Sequence, residues 1–316
     1  MNPKRIIIDT DPGIDDALAF LLAAASPEIK LEALTATQGN VTVDKAARNA
    51  LSVLELVKLT QVPVAQGSVF PLVQPLLASE TTHGESGIGN AQLPEPTNKP
   101  VPQHAVDFLI EKFLAEPGEI SLFAIGPLSN VALAIRKEPR IVKAIKEMVI
   151  MGGAIREGGN MSPLAEFNIF VDPHAAHIVF HSGIPITLIP LDVTHECLIT
   201  RADVERINQV KSPVASFIKD ALSVYFDYYE ETTKFEGSAL HDPLTLATII
   251  APELLTLEEL YVDVDISGGI SMGNTFADFF SVAKQPANMK VALDVRGRDF
   301  INLFVDRMIE LSKKIA

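Results

Sequence analysis

"IIIDTDPGIDDALAF", Ile6 to Phe20, is the stretch from which the rest of this chain is read. Three consecutive β-branched isoleucines suit a strand buried on both faces of a parallel sheet. The run ends at Asp9, Pro12-Gly13 makes a turn, and Asp15-Asp16 stand where a helix begins ahead of the helix-forming "ALAFLLAAA". In an open α/β sheet, ligands bind beyond the carboxyl ends of the strands. Asp9 and Asp11 occupy that position for the first strand. Four carboxylates therefore crowd between two apolar runs, with no lysine or arginine inside the stretch to balance them.

A helix N-terminus favours negative charge, but by only about 0.5 kcal/mol per exposed carboxylate. Gathering several carboxylates at a buried sheet edge costs more than that, and a bound cation closes the deficit. The donors nearby are all oxygens, which suit Ca²⁺ or Mg²⁺ rather than Zn²⁺. The plainer reading, turn and N-cap aspartates without a ligand, fits a single D-P-G turn better than four clustered aspartates.

Composition narrows the class. With 316 residues, 47% of them hydrophobic, the chain has enough apolar material for a sizeable core. The net charge of −14 and the absence of any clustered Lys/Arg run argue against a nucleic-acid partner. The lone Cys197 excludes an internal disulfide and any multi-cysteine metal site, which fits a reducing compartment. The apolar run Ala17 to Ala25 is too short to span a bilayer. These features lead us to expect a cytoplasmic protein without a membrane partner.

Strand and helix patterns alternate along the chain. "KLEALTAT" (30–37), a short stretch near Pro63 to Ala65, "EISLFAIG" (119–126), "EMVIMGG" (147–153) and "PITLIP" (185–190) read as strands. Residues 43–59, 105–115, 127–137 and 174–183 read as helices between them. The expected fold is α/β: a mostly parallel central sheet flanked by helices, Rossmann-like, with a small antiparallel C-terminal addition, as one domain over residues 1–316. "LYVDVDISGGISMGNTFADF" (260–279) supplies that addition, reading as two strands around Gly268-Gly269. Residues 202–233 look mainly helical, and a last helix runs near 300–315. Phe70 to Pro102 is Pro- and Gly-rich and reads as a long functional loop carrying "HGESGIG".

Three further groups bear on function. "HDP" at His241-Asp242-Pro243 places another aspartate at a strand-to-helix junction, where Asp followed by Pro is also a common helix start. In "AEFNIF" (165–170), Glu166 and Asn168 share one face of an extended segment while Phe167 points to the other. Such a buried polar pair needs partners. His174, His177 and His181 lie at helical spacing, but no carboxylate in an open position is evident near them. They read as a solvated or subunit-contact face rather than a zinc site. Tyr225, Tyr228 and Tyr229 suit either core packing or stacking on a base.

"DTDPGIDDALA", "QGN" (38–40), "HGESG" (83–87), "IGPLSN" (125–130), "MGG" (151–153), "GNMSPLAEFNI" (159–169) and "LHDP" (240–243) occur in order along nearly the whole chain. Together they resemble the nucleoside hydrolase family, the inosine–uridine nucleoside N-ribohydrolases, and most of all its bacterial members of broad purine and pyrimidine tolerance. The resemblance implies a Ca²⁺ held by Asp11, Asp16, Asp242 and the main-chain carbonyl of Ile125. A water and the two ribose hydroxyls complete its shell. It implies ribose contacts from Asp15, Asn40, Asn160, Glu166 and Asn168, with Met151 and Phe167 in the same substrate wall. His83 and His241 fall where family members contact the nucleobase. It further implies a homodimer or homotetramer serving nucleoside salvage.

Cleavage of an N-glycosidic bond passes through an oxocarbenium-like sugar. The expected chemistry has Asp11 taking the proton of a Ca²⁺-bound water, a ring of Asp, Glu and Asn oxygens stabilising the ribosyl cation, and His241, then His83, protonating the leaving base. Two rivals stand beside it. In an aspartate-nucleophile phosphatase, D-x-D after a hydrophobic strand would make Asp9 the nucleophile. In a Ca²⁺-dependent nucleoside-binding protein there is no turnover, which the presence of both Asp11 and Asp16 opposes.

Overall fold

The structure, a computed structural model, describes residues 2–77 and 80–316. Its strands are β1 (Lys4–Thr10), β2 (Ile29–Ala36), β3 (Val64–Gln66), β4 (Ile120–Ala124), β5 (Met148–Met151), β6 (Ile186–Ile189), β7 (Leu198–Ile199), β8 (Ser238–Ala239), β9 (Leu255–Leu260), β10 (Val262–Val264), β11 (Thr275–Ala277) and β12 (Met289–Val295). Eight of them form one sheet in the order β3-β2-β1-β4-β5-β6-β12-β9, parallel except for β9, which runs antiparallel to β12. β10 pairs with β11, and β7 with β8, as two small antiparallel ribbons.

The isoleucine run shows why the sheet is covered on both sides. Successive strand residues point to opposite faces. Ile6 and Ile8 pack with the helices Ile14–Ala25, Val43–Leu56 and Gly297–Ile315. Ile7 packs with the helices Ala105–Ala115, Ser129–Lys137 and Pro173–Phe180. All three isoleucines are fully buried, as a strand between two helical layers must be. Among the described residues no helix is long and apolar enough to cross a membrane.

The chain builds outward from β1 to β2 and β3 on one side, then returns to add β4, β5 and β6 on the other. The connections leaving β1 and β4 therefore diverge at their carboxyl ends and open a crevice between them, the usual ligand position of such sheets. The expected strands and helices recur to within a few residues, but β9 and β12 were not anticipated. β9 is an edge strand carrying exposed Glu258 and Glu259, which lack the apolar alternation of a half-buried strand while protecting an open edge from further pairing.

Asp9, next to the end of β1, lies opposite Thr35 of β2 and Ala124 of β4. Its Oδ1 accepts from the Thr35 hydroxyl at 2.5 Å and from Asn130 Nδ2 at 2.9 Å. Asn130 also donates to the Ala36 carbonyl, and its Oδ1 accepts from Ser68 N at 2.8 Å. One buried carboxamide thus ties together β1, β2 and the loop after β3. Asn130→Ala leaves buried donors and acceptors without partners and should cost about 1–3 kcal/mol of stability. Urea unfolding measures this, and an unchanged midpoint would show that the staple carries no weight.

Candidate active site

A cavity of about 420 Å³ opens at the carboxyl ends of the central strands. Its floor comes from the loop after β1, where Gly13 N donates to Asp16 Oδ2 at 2.9 Å and starts the helix Ile14–Ala25. Asp11 lies in the turn just before. Its Oδ2 accepts from Asn40 N at 2.6 Å, whereas its Oδ1 is buried without a partner. Gly39 and Gly126 press against this carboxylate. A Cβ on Gly39 would meet Asp11 Oδ2 at 2.0 Å, and one on Gly126 would meet Oδ1 at 2.4 Å. Only glycine leaves room for the carboxylate there.

Asp242 enters at the start of the helix His241–Thr245, and its carboxyl is in hydrogen-bond contact with that of Asp16. Asp16 also accepts from the Thr10 hydroxyl, from Asp11 N at 3.3 Å and from Asn40 Nδ2 at 3.2 Å. Asp15 accepts from the Tyr225 hydroxyl. Burial first, and the neighbouring carboxylates second, push Asp11 and Asp242 well above the usual carboxylate range. The same two causes raise Asp15 to about 8. Among the described residues that line the cavity there is no lysine or arginine.

The second wall is built by the segment 159–171, and its conformation corrects the expectation of an extended pair. Residues 165–170 do not form a strand: Glu166 caps the short helix Phe167–Val171, its Oε1 accepting from Asn168 N at 2.9 Å and its Oε2 from Ile169 N at 3.1 Å and Gly153 N at 3.0 Å. Helical winding, rather than strand alternation, brings Glu166, Phe167 and Asn168 all to the cavity. Asn168 Nδ2 donates to the Ile125 carbonyl at 3.0 Å and to Met151 at its carbonyl and sulfur. Asn160 Oδ1 accepts from Phe167 N at 2.9 Å.

Aromatic and imidazole groups form the remaining side. His241 Nε2 lies 2.7 Å from the Tyr229 hydroxyl and its Nδ1 2.8 Å from the Thr194 hydroxyl. Burial pushes His241 well below the ordinary histidine value, and His83 down to about 3. Both imidazoles are thus neutral near pH 7. His83 Nδ1 accepts from Ile14 N at 3.1 Å, so its one proton sits on Nε2. Neither histidine holds a spare proton in the free protein. Tyr225 and Tyr229 pack in the core and also line the cavity.

The structure brings together every residue expected at the metal, the ribose and the base. Asp15, Asn40, His83, Ile125, Met151, Asn160, Glu166, Phe167, Asn168, His241 and Asp242 line the cavity. Asp11 and Asp16 lie fully buried beside its floor. Asp9 does not reach it: its carboxyl is fully buried in the staple to Thr35 and Asn130, where a phosphatase nucleophile would have to be open to substrate. Nothing in the linear pattern pointed to His195, whose ring centroid lies 5.7 Å from that of His241, or to Phe235. Both sit in stretches without a motif.

The donor set fits a hard divalent cation. Oxygens of Asp15, Asp16 and Asp242 lie within 4.8 Å of one another, and unpartnered buried oxygens remain on Asp11 and Asp15. The tight triad contains Asp15 where the family resemblance names Asp11, which stands beside it with one oxygen free.

A crevice at the switch point of a doubly wound sheet, floored by carboxylates and with no lysine or arginine among its described lining residues, defines a site for a polar ligand. Residues 6–302 match the family model of inosine-uridine preferring nucleoside hydrolases. A pyrimidine-specific ribonucleoside hydrolase RihA of an Enterobacter species is 42% identical over 97% of this chain and 98% of its own length, and that of Photobacterium profundum is 42% identical over 96% and 98%. The purine-preferring ribonucleoside hydrolase from Gardnerella vaginalis superposes with a TM-score of 0.93 at 34% identity, covering 98% of this chain and all of that one. The chain belongs to the nucleoside hydrolase family and is a ribonucleoside hydrolase.

The raised carboxyl values set a pH dependence. Each such group binds its proton more tightly folded than unfolded. Between about pH 4 and 8 the folded chain therefore keeps protons that the unfolded chain has released, and stability falls as pH rises through that window. Chelated protein should show a thermal midpoint that declines from pH 5 to pH 8, and added Ca²⁺ should raise and flatten the curve. A slope indifferent to Ca²⁺ would mean that these carboxyls do not bind it.

Proposed function

We propose that the protein hydrolyses the N-glycosidic bond of ribonucleosides with Ca²⁺ at the carboxylate floor, Asp11 as general base, and a preference for pyrimidine nucleosides. The observation that carries this reading is the clustering of Asp15, Asp16 and Asp242, with Asp11 buried beside them, at one cavity with no lysine or arginine among its described lining residues. The base preference rests on the relatives that are 42% identical and are named pyrimidine-specific ribonucleoside hydrolases.

Asp11, Asp16, Asp242 and the Ile125 carbonyl would hold the ion. When bound, Ca²⁺ lowers the pKa of water and favours approach of a vicinal diol. The carbonyl of Ile125 already accepts from Asn168, and an oxygen with two lone pairs has a second one to give.

The chain's own groups supply the rest. Asp11 is fixed through Oδ2 by Asn40 N, and its free Oδ1 takes a proton from the attacking water. Asp15, Asn40 and Asn160 hold the ribose hydroxyls. As the bond from C1′ to the base nitrogen breaks, its electron pair leaves with the base and positive charge grows on the sugar. Glu166 and the amide oxygens around it face that charge, where fixed dipoles stabilise it. The water oxygen bonds to C1′ and the base gains a proton. The Thr194–His241–Tyr229 chain and His83 Nε2–H are neutral donors placed for that last transfer.

Asp11→Asn should lower kcat by about 10²–10⁴ with the thermal midpoint retained. Near-normal turnover would reassign the base. In a panel of nucleosides and phosphate esters, uridine and cytidine should release free base faster than inosine, and phosphate esters should be inert. Exhaustive chelation should abolish the activity and Ca²⁺ restore it. Release of phosphate alone, or full activity after chelation, would overturn the reading.

A further inference from the structure

A second group of donors stands apart from the cavity. The helix Pro173–Phe180, started by the Asp172 side chain accepting from Ala175 N, carries His177 and ends at His181, one turn further on the same face. β10 packs against this helix, and its Asp263 reaches between the two rings. Asp263 Oδ1 lies 3.1 Å from His177 Nδ1 and 3.0 Å from His181 Nε2. The strand thus provides a carboxylate that no spacing near the helix reveals. None of the three residues lines the cavity.

The carboxylate is fixed from behind. Val264 N donates to Oδ1 at 2.8 Å, and the Tyr261 hydroxyl donates to Oδ2 at 3.1 Å. Such outer bonds orient a ligand and hold its charge in place. The side chains of His177, His181 and Asp263 are 39%, 34% and 20% exposed, which leaves an ion access and a water room to bind. His174, although on the same helix, is not part of the group.

We propose that His177, His181 and Asp263 bind a zinc-class divalent ion that fastens the helix Pro173–Phe180 to the β10–β11 hairpin. Two imidazoles and one carboxylate form a mixed nitrogen and oxygen set, which suits Zn²⁺ and its d-block neighbours and not the Ca²⁺ favoured by an all-oxygen floor. Tetrahedral ligand atoms about 2.0–2.1 Å from an ion lie roughly 3.3–3.4 Å from one another. The two separations from Asp263 Oδ1 need to widen by only a few tenths of an ångström, all three ligand atoms lie within 4.8 Å of one another, and the ion replaces the protons now shared between Asp263 and the rings. Three protein ligands leave the fourth position to water.

The fastened elements adjoin two segments that line the cavity, those of Asn168 and Met151. The helix follows directly on the short helix that carries Asn168. The hairpin's Thr275 hydroxyl bonds both the amide and the carbonyl of Ala154, just beyond β5.

The test uses untagged, full-length protein held in excess Ca²⁺ and titrated with Co²⁺. Visible absorption of four- or five-coordinate Co²⁺ should rise to saturation at one equivalent per chain and be displaced by Zn²⁺. His177→Ala and His181→Ala should each weaken binding tenfold or more, while uridine hydrolysis without added transition metal stays at the parent rate. Asp263→Asn, which keeps the size of the side chain, carries the same expectation should a histidine variant fail to fold. Absence of a saturable signal, or a signal that survives in folded variants, would overturn the proposal.

Discussion

Repulsion among buried carboxylates is the constraint around which this protein is arranged. Asp11, Asp15, Asp16 and Asp242 are all removed from water, and each would be easier to keep ionised apart from the others. The sheet topology forbids that. Asp11, Asp15 and Asp16 follow the carboxyl end of β1, and Asp242 opens a helix that packs against the one they begin. Backbone amides, the Thr10 and Tyr225 hydroxyls and the Asn40 carboxamide blunt the repulsion without cancelling it. Burial and crowding make these carboxyls hold their protons, and a cation in place of those protons would relieve the same repulsion.

The supporting residues answer to the same constraint. Asp9 stands two residues from Asp11 but faces away, toward Thr35 and Asn130, and burial raises its carboxyl to about 7. It braces the sheet at the point where the crevice opens. Glu166 accepts three backbone amides and caps a helix of five residues, which fixes the direction of Asn168. Asn168 in turn steadies the Ile125 carbonyl on the opposite wall. Rigid secondary contacts of this kind hold a polar cavity open without loose side chains that must be ordered on binding.

The imidazole side follows different physics. Burial beside apolar rings keeps His83 and His241 neutral, and their hydrogen bonds dictate where each proton lies. A cationic imidazole there would compete with the sugar for the carboxylates. Neutral imidazoles add no positive charge beside the carboxylates, while the hydroxyl of Tyr229, itself kept fully protonated by burial and by Asp15, extends the hydrogen-bond chain.

Much of this could be read in the linear chain because it is local. A β-branched run followed by a turn and an acidic helix start is a pattern of adjacent residues, and it determined the parallel sheet, the direction of β1 and the clustering of Asp11, Asp15 and Asp16. The ordered motifs added Asn40, His83, Ile125, Glu166, Asn168 and Asp242. Tertiary structure alone decided what depends on distance across the chain. It wound 167–171 into a helix where alternation argued for a strand, with Glu166 capping it through the amides of Asn168 and Ile169 and taking a third from the distant Gly153. It placed β9 and β12 at the far side of the sheet through register rather than propensity, and it brought His195 toward His241. It also set Asp263 between His177 and His181, although 86 residues separate it from the first of them. Side chains that meet through packing leave no period in the sequence, since nothing in their own neighbourhoods has to match.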